Sequence, residues 1–170
     1  CEHIVGELMK GFLSKRPLSE EQKTEMKANC PEIEEKYLSL LQRAVPAIAL
    51  PSFTALNTAF CNDVEPELVF AQCLMGLGKK DDILLCISTS GNSKNVVAAA
   101  LTAKALGIKT IGLTGKTGGR LKSICDICIC VPETETFKVQ ELHLPVYHYL
   151  CARVEEEIFY TRCAADSLKH

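Results

Sequence analysis

Three short apolar runs constrain this chain more than any other feature. They are Asp82-Ile83-Leu84-Leu85-Cys86-Ile87-Ser88, Lys109-Thr110-Ile111-Gly112-Leu113-Thr114 and 126–131, Asp126 to Val131. Each is strand-sized and apolar on both faces, which places it inside a parallel sheet covered by helices. The intervening sequence supplies those helices. Lys94 to Leu106 is Ala-rich and stops at Gly107, and a short helix running to Ser123 follows the Gly-rich stretch from Gly115 to Arg120. An amphipathic helix is expected over 64–76 and a long one over about 137–162. Ala47-Ile48-Ala49-Leu50 reads as a further short buried strand. Alternation of this kind defines an α/β fold, and parallel strands bring their C-terminal ends to one edge, where ligands bind.

The remaining segments are less regular. Residues 1–12 read as the later part of a helix, and residues 13–30 as a polar stretch with a cap at Ser19 ahead of Glu20, Glu21 and Gln22. Residues 31–44 carry Ile33, Tyr37, Leu38 and Leu41 on one helical face, and 52–63 reads as a short helix followed by a loop at Cys61-Asn62-Asp63. At 170 residues one domain is expected. A net charge of −2 without a basic run excludes a nucleic-acid binder working by bulk charge. No apolar stretch is long enough for a membrane span, and no signal peptide is seen. Helical spacing starts at once at His3, Val5, Glu7 and Leu8, so the true N-terminus is read as lying before Cys1.

Ten cysteines stand mostly in apolar runs. Cys125 and Cys128 form a C-x-x-C with Cys130 close behind, but no second such pair exists to complete a zinc site. These thiols are read as small hydrophobes of a strand, reduced and therefore cytoplasmic.

The loop Ser88-Thr89-Ser90-Gly91-Asn92-Ser93 joins a buried strand to a helix start. Four hydroxyls and a glycine at a helix N-terminus suit a phosphate, and a capped turn uses the same residue types. The run has neither the lysine of a P-loop nor a G-x-G-x-x-G spacing, so a sugar phosphate suits it better than a nucleoside triphosphate. His3 and Glu7, at i and i+4, share one helical face and could hold a divalent ion or simply hydrogen-bond each other. Gln140 and His148, eight apart, are offset by about 80° on a helix. Glu141 and His148 align better, although Pro145 intervenes. Asp63 reads equally well as a capping residue or a ligand contact.

Taken together, the serine loop and the run Ile111-Gly112-Leu113-Thr114-Gly115-Lys116-Thr117-Gly118-Gly119 resemble the sugar isomerase (SIS) domain. Three further segments resemble the phosphoheptose isomerase family more narrowly: Cys1 to Leu8 its catalytic helix, Ala47 to Asp63 its second strand and loop, and Val139 to His148 its C-terminal helix. The match omits only residues 13–30.

That resemblance implies a single SIS domain over 1–170, a three-layer sandwich of flavodoxin-like or Rossmann-like topology, with the family's first helix and strand lying before Cys1. It implies conversion of sedoheptulose 7-phosphate to D-glycero-D-manno-heptose 7-phosphate through an enediol, for cell-surface glycan precursors. Glu7 would be the general base and His148 the general acid/base. Ser88, Thr89, Ser90, Ser93, Asp63 and Gln140 would hold the substrate, with Thr136 a further contact. His3, Glu7, Gln140 and His148 would bind one zinc ion per subunit, with His143 outside the ligand set. An arginine common after the family's catalytic Glu is replaced here by Gly11, with Lys10 and Lys15 as possible substitutes. The family further implies a cytoplasmic homotetramer that binds neither nucleic acid nor membrane. The competing readings are an SIS isomerase of another phosphosugar, a non-catalytic sugar-phosphate sensor and a partner-binding protein of the same fold.

Overall fold

The computed structural model describes residues 1–161. The helices are α1 (Glu2–Met9), α2 (Glu20–Asn29), α3 (Glu35–Leu40), α4 (Thr54–Asp63), α5 (Val69–Leu77), α6 (Lys94–Ala105), α7 (Leu121–Ile124) and α8 (Thr136–Glu156). The strands are β1 (Ile83–Ser88), β2 (Lys109–Thr114) and β3 (Ile127–Cys130). Short 3-10 turns occupy Leu50–Ser52 and Pro66–Leu68, and a π-helical turn, Glu157–Thr161, follows α8. These elements form two compact units, Ala49–Val146 with Cys1, and Glu2–Ile48 with the chain from Tyr147 onward.

The first unit holds the sheet. Its strands are parallel in the order β1-β2-β3, and the register aligns Ser88 with Thr114 and Thr114 with Cys130 at the C-terminal edge. Helix α6 packs its small residues on this sheet, so that Val97 and Ala100 meet Cys86 and Leu121, while Ala99 and Ala103 meet Leu74 and Ile108. The fold class is the expected one, a parallel α/β sheet flanked by helices. Asp126 fastens the start of β3: its carboxylate accepts from the Thr110 N–H at 2.8 Å and the Thr110 hydroxyl at 2.9 Å. The nine described cysteines are free thiols, and Cys163 lies outside the described residues. Burial, reinforced by Cys125 and Cys128, pushes the Cys86 thiol up to about 12, which suits a packing role.

Several expectations are corrected. No strand forms at 47–50; the segment is irregular and turns into the 3-10 helix at Leu50. Pro46 and Pro51 bracket it, neither has an N–H to give a ladder, and Ile48 stays exposed. The loop expected at Cys61-Asn62-Asp63 is the last turn of α4. The helix expected over 31–44 shrinks to Glu35–Leu40, because the chain then extends to pair Gln42 with Pro17 and the Arg43 N–H with the Arg16 carbonyl at 2.7 Å. The helix expected from residue 64 opens instead with the 3-10 turn at Pro66. Ser19 does cap α2, through reciprocal bonds with Gln22.

The second unit is organised by a buried ion pair. Residues 12–14 are not helical, and their N–H groups need acceptors. The Glu155 carboxylate accepts all three, from Phe12 at 2.7 Å, Leu13 at 2.9 Å and Ser14 at 3.0 Å, and also Nε of Arg16 at 2.6 Å. Arg16 is fully buried, lies over the Phe159 ring, and donates to the carbonyls of Leu8 at 2.7 Å and Glu7 at 3.2 Å, which close the end of α1. Burial alone would raise the Glu155 pKa; the three N–H donors and Arg16 outweigh it and hold the carboxyl below its ordinary value.

A lowered folded-state pKa adds stability above the unfolded carboxyl value of about 4.3, lost as pH falls through the folded value. Glu155→Gln should therefore cost about 3–5 kcal/mol near neutrality, the cost of stranding a buried charge. The variant should also lose part of the acid-side decline below about pH 4.3. Urea unfolding at stepped pH checks both, and an unchanged midpoint at neutral pH would contradict the assignment.

Candidate functional site

The β1–α6 loop lies at the C-terminal edge of the sheet. Ser93 occupies the N-cap position of α6, yet its side chain makes no capping bond. Its hydroxyl instead pairs with that of Ser88 at 2.9 Å. The helix therefore starts without a side-chain cap, with its dipole facing the loop. Ser90 accepts the Asn92 N–H through its hydroxyl, and Lys94 turns away to Glu67. Ser88 is buried, Thr89 half-buried, and Ser90 and Ser93 are exposed. All four hydroxyls predicted to hold phosphate thus occupy one turn, with Ser90 and Ser93 presented to solvent.

A second loop, after β2, braces the first. The Leu121 N–H bonds the Gly91 carbonyl at 3.1 Å, the Arg120 N–H bonds Oδ1 of Asn92 at 3.0 Å, and the Gly115 N–H bonds the Thr89 carbonyl at 2.9 Å. Gly91 has a φ of +67°, and a Cβ there would run into the Gly118 carbonyl and stand 2.9 Å from the Gly119 nitrogen. Only glycine supplies both that conformation and that approach.

Helix α1 carries the other candidate group. His3 Nε2 lies 3.2 Å from Oε1 of Glu7, and Lys10 Nζ donates to Oε2 of Glu7 at 3.3 Å. The His148 ring stands 5.3 Å from the His3 ring, at right angles to it, and 5.5 Å from Phe12. The structure thus brings together His3, Glu7 and His148, three of the residues singled out from sequence. It adds Tyr147, whose hydroxyl lies 2.9 Å from Nδ1 of His3. Sequence reasoning missed Tyr147, since adjacency to His148 was its only signal. Of the possible arginine substitutes, Lys10 reaches Glu7.

The other candidates belong to the sheet-bearing unit. Gln140 and Glu141 are exposed on the first half of α8. Thr136 is its first residue, and Asp63, exposed, is the last residue of α4 rather than a loop residue. Thr114, at the end of β2, is buried. His143 is buried with no partner at Nε2 among the described residues. His170 lies outside them.

Whether these groups suit a metal ion can be tested on their spacing. Ligands on a tetrahedral zinc with bonds of about 2.0–2.1 Å stand about 3.3 Å apart. The His3–Glu7 separation of 3.2 Å fits that edge as well as it fits a hydrogen bond. No three His, Cys, Asp or Glu side chains are gathered to hold an ion among the described residues.

Comparison with known proteins agrees with this architecture. The SIS domain family model matches residues 28–115. A phosphoheptose isomerase from a Nitratiruptor species is 50% identical over 115 residues, covering 68% of this chain and 62% of that protein. One from Aneurinibacillus thermoaerophilus is 37% identical over 159 residues, covering 94% of this chain and 67% of that protein. Among solved structures, a phosphoheptose isomerase from Francisella tularensis superimposes with a TM-score of 0.69 at 32% identity, covering 89% of this chain and 67% of that one. Another, from Neisseria gonorrhoeae, gives 0.62 at 36% identity, covering 64% and 61%. The fold and the serine loop are those of the SIS class. The chain belongs, within that class, to the phosphoheptose isomerase family. It spans about three fifths of the Nitratiruptor relative. No helix among the described residues is long and apolar enough to cross a membrane.

The bracing of the serine loop gives a direct expectation. Gly91→Ala should lower stability by at least about 1 kcal/mol, the penalty of a left-handed non-glycine residue, with the carbonyl clash in addition. Denaturant unfolding measures it, and an unchanged midpoint would show that the two loops do not interlock.

Proposed function

We propose that the chain acts in an aldose–ketose isomerase converting sedoheptulose 7-phosphate to D-glycero-D-manno-heptose 7-phosphate. The observation that carries this reading is the His3–Glu7 pair on α1, with the His148 ring 5.3 Å from that of His3, in a chain whose hydroxyl loop opens onto an uncapped helix start. The names of its relatives support a phosphorylated heptose as the substrate class, and the resemblance supplies the particular sugar.

The chemistry asks for two proton carriers and an anion site. The phosphate would sit at the start of α6, held by Ser90 and Ser93 hydroxyls, with Ser88 and Thr89 behind them. Glu7 would take the proton from the carbon beside the carbonyl, and His148 would shuttle the proton between the two sugar oxygens, so that the enediol reprotonates at the neighbouring carbon. A zinc ion held by His3, Glu7, Gln140 and His148 is assigned by the resemblance alone, since only His3 and Glu7 stand at a ligand-like spacing, and when bound it would offset negative charge on the enediolate oxygens. Asp63, Gln140 and Thr136 are proposed sugar contacts on the same ground. Apolar side chains exposed on α8, among them Phe137, Leu142, Leu144 and Tyr149, support a homotetramer. Free thiols suit a cytoplasmic setting.

Separating phosphate binding from proton transfer tests the reading. Ser90→Ala and Ser93→Ala should each raise KM by roughly five- to a hundredfold, the loss of a hydrogen bond to a charged group. Glu7→Gln should cut kcat by about 10²–10⁴ with little change in KM. Near-normal turnover in Glu7→Gln would remove the mechanism.

A further inference from the structure

Charge is distributed unevenly along this chain. Residues 83–125 contain no Asp or Glu, yet they hold Lys94, Lys104, Lys109, Lys116, Arg120 and Lys122 in a chain whose net charge is −2. That stretch runs from β1 through the serine loop, α6 and β2 to the end of α7. Three of these cations are occupied. Lys94 pairs with Glu67, Lys109 lies 3.8 Å from Asp126, and Lys104 donates to the Ile124 carbonyl at 3.2 Å. Lys116, Arg120 and Lys122 are exposed, and their side chains make no ion pair or hydrogen bond among the described residues. The acids that follow β3 are taken: Glu133 accepts the N–H groups of Thr134 and Glu135, and Glu135 pairs with Lys138. All three unpaired cations stand in the segment that braces the serine loop. Lys116 follows Gly115, whose N–H bonds the Thr89 carbonyl; the N–H of Arg120 itself bonds Asn92; and Lys122 follows Leu121, whose N–H bonds the Gly91 carbonyl.

A phosphate monoester carries a charge of about −1.5 to −2 near pH 7. The start of a helix offsets roughly +0.5 of that, and hydroxyls offset none of it as net charge. The serine loop has no cation of its own to supply the rest, since Lys94 turns to Glu67. We propose that Lys116, Arg120 and Lys122 form a cationic collar that concentrates a phosphorylated sugar at the serine loop and sets its preference for a dianionic ligand over a neutral sugar. The collar acts through space, at a range of about one Debye length, roughly 10 Å at 0.1 M salt, and touches no reacting atom. Three cations on a chain that is otherwise net acidic suit a small anion better than a polyanion. The identity of the sugar phosphate rests on the isomerase reading; the binding measurement does not require turnover.

The test compares the parent with a triple variant, Lys116→Gln, Arg120→Gln and Lys122→Gln, and with a control, Lys79→Gln and Lys80→Gln. The control removes charge ahead of β1, at the opposite end of that strand from the serine loop. Calorimetric titration with sedoheptulose 7-phosphate gives the affinity of each. At about 20 mM salt the triple variant should bind about tenfold more weakly than the parent, and the gap should close at about 0.5 M, where screening confines charge effects to a few ångströms. The control should match the parent at both. In turnover, KM should rise by the same factor at low salt with kcat unchanged. Equal affinity of the triple variant and the parent at low salt overturns the proposal. A gap that persists at high salt, or a loss as large in the control, overturns it too. If the parent turns over the sugar phosphate and no gap is found, the collar fails and the isomerase reading stands. If the parent shows the salt-dependent gap and no turnover, the isomerase reading fails and the collar stands. A parent that binds no sugar phosphate overturns the collar.

Discussion

The sheet-bearing unit depends on a contact that no side chain makes. Gly91 in the β1–α6 loop and the Gly118-Gly119 pair in the β2–α7 loop approach backbone to backbone, leaving no room for a Cβ. That approach fixes the turn in which Ser88, Thr89, Ser90 and Ser93 lie, and it lets α6 begin beside them with its amides facing the same way. The hydrogen bonds from Arg120, Leu121 and Gly115 into the loop are possible only because the glycines let the chains close. A hydroxyl cradle for an anion is useful only if it is preorganised, since donors that must first be ordered spend their binding energy on that ordering. The glycines supply the preorganisation here.

The second unit reaches the same end with charge. Helix α1 carries His3 and Glu7 and is only eight residues long, too short to be stable by itself. Its last carbonyls are taken by Arg16, and Arg16 is neutralised by Glu155, which also collects three successive N–H groups. A buried pair of this kind gains little over an apolar core, but removing one partner is costly. Its value lies in fixing where α1 ends, and with it the turn that bears Glu7. The buried arginine thus serves the backbone.

Much of the sheet was legible from the sequence because burial on both faces writes itself into consecutive apolar residues. The β2 bounds match the expectation, β1 starts one residue later than expected, and β3 is one residue shorter at each end. The same rule misled at 47–50, where an apolar run of strand length lies between Pro46 and Pro51 and finds no neighbour to pair with. Asp63 was misplaced because nothing in Cys61-Asn62-Asp63 distinguishes a loop from a last helical turn. Local spacing brought out His3 with Glu7 and the four loop hydroxyls. It could not bring out Tyr147 with His3, or Arg16 with Glu155, since these pairs are 144 and 139 residues apart and leave no period behind. Long-range polar partners become visible only once the chain is folded.

Isomerisation through an enediol leaves a mark that no binding protein can leave. A ketose 7-phosphate incubated with the protein in deuterium oxide should give a new aldose anomeric signal in the proton NMR spectrum, with solvent deuterium incorporated at the carbon next to the aldehyde. Glu7→Gln should slow both changes by about 10²–10⁴ while still binding the sugar phosphate. If sedoheptulose 7-phosphate binds and neither the aldose signal nor exchange appears, the hydroxyl loop serves a sensor and the account of Glu7 as a base is wrong.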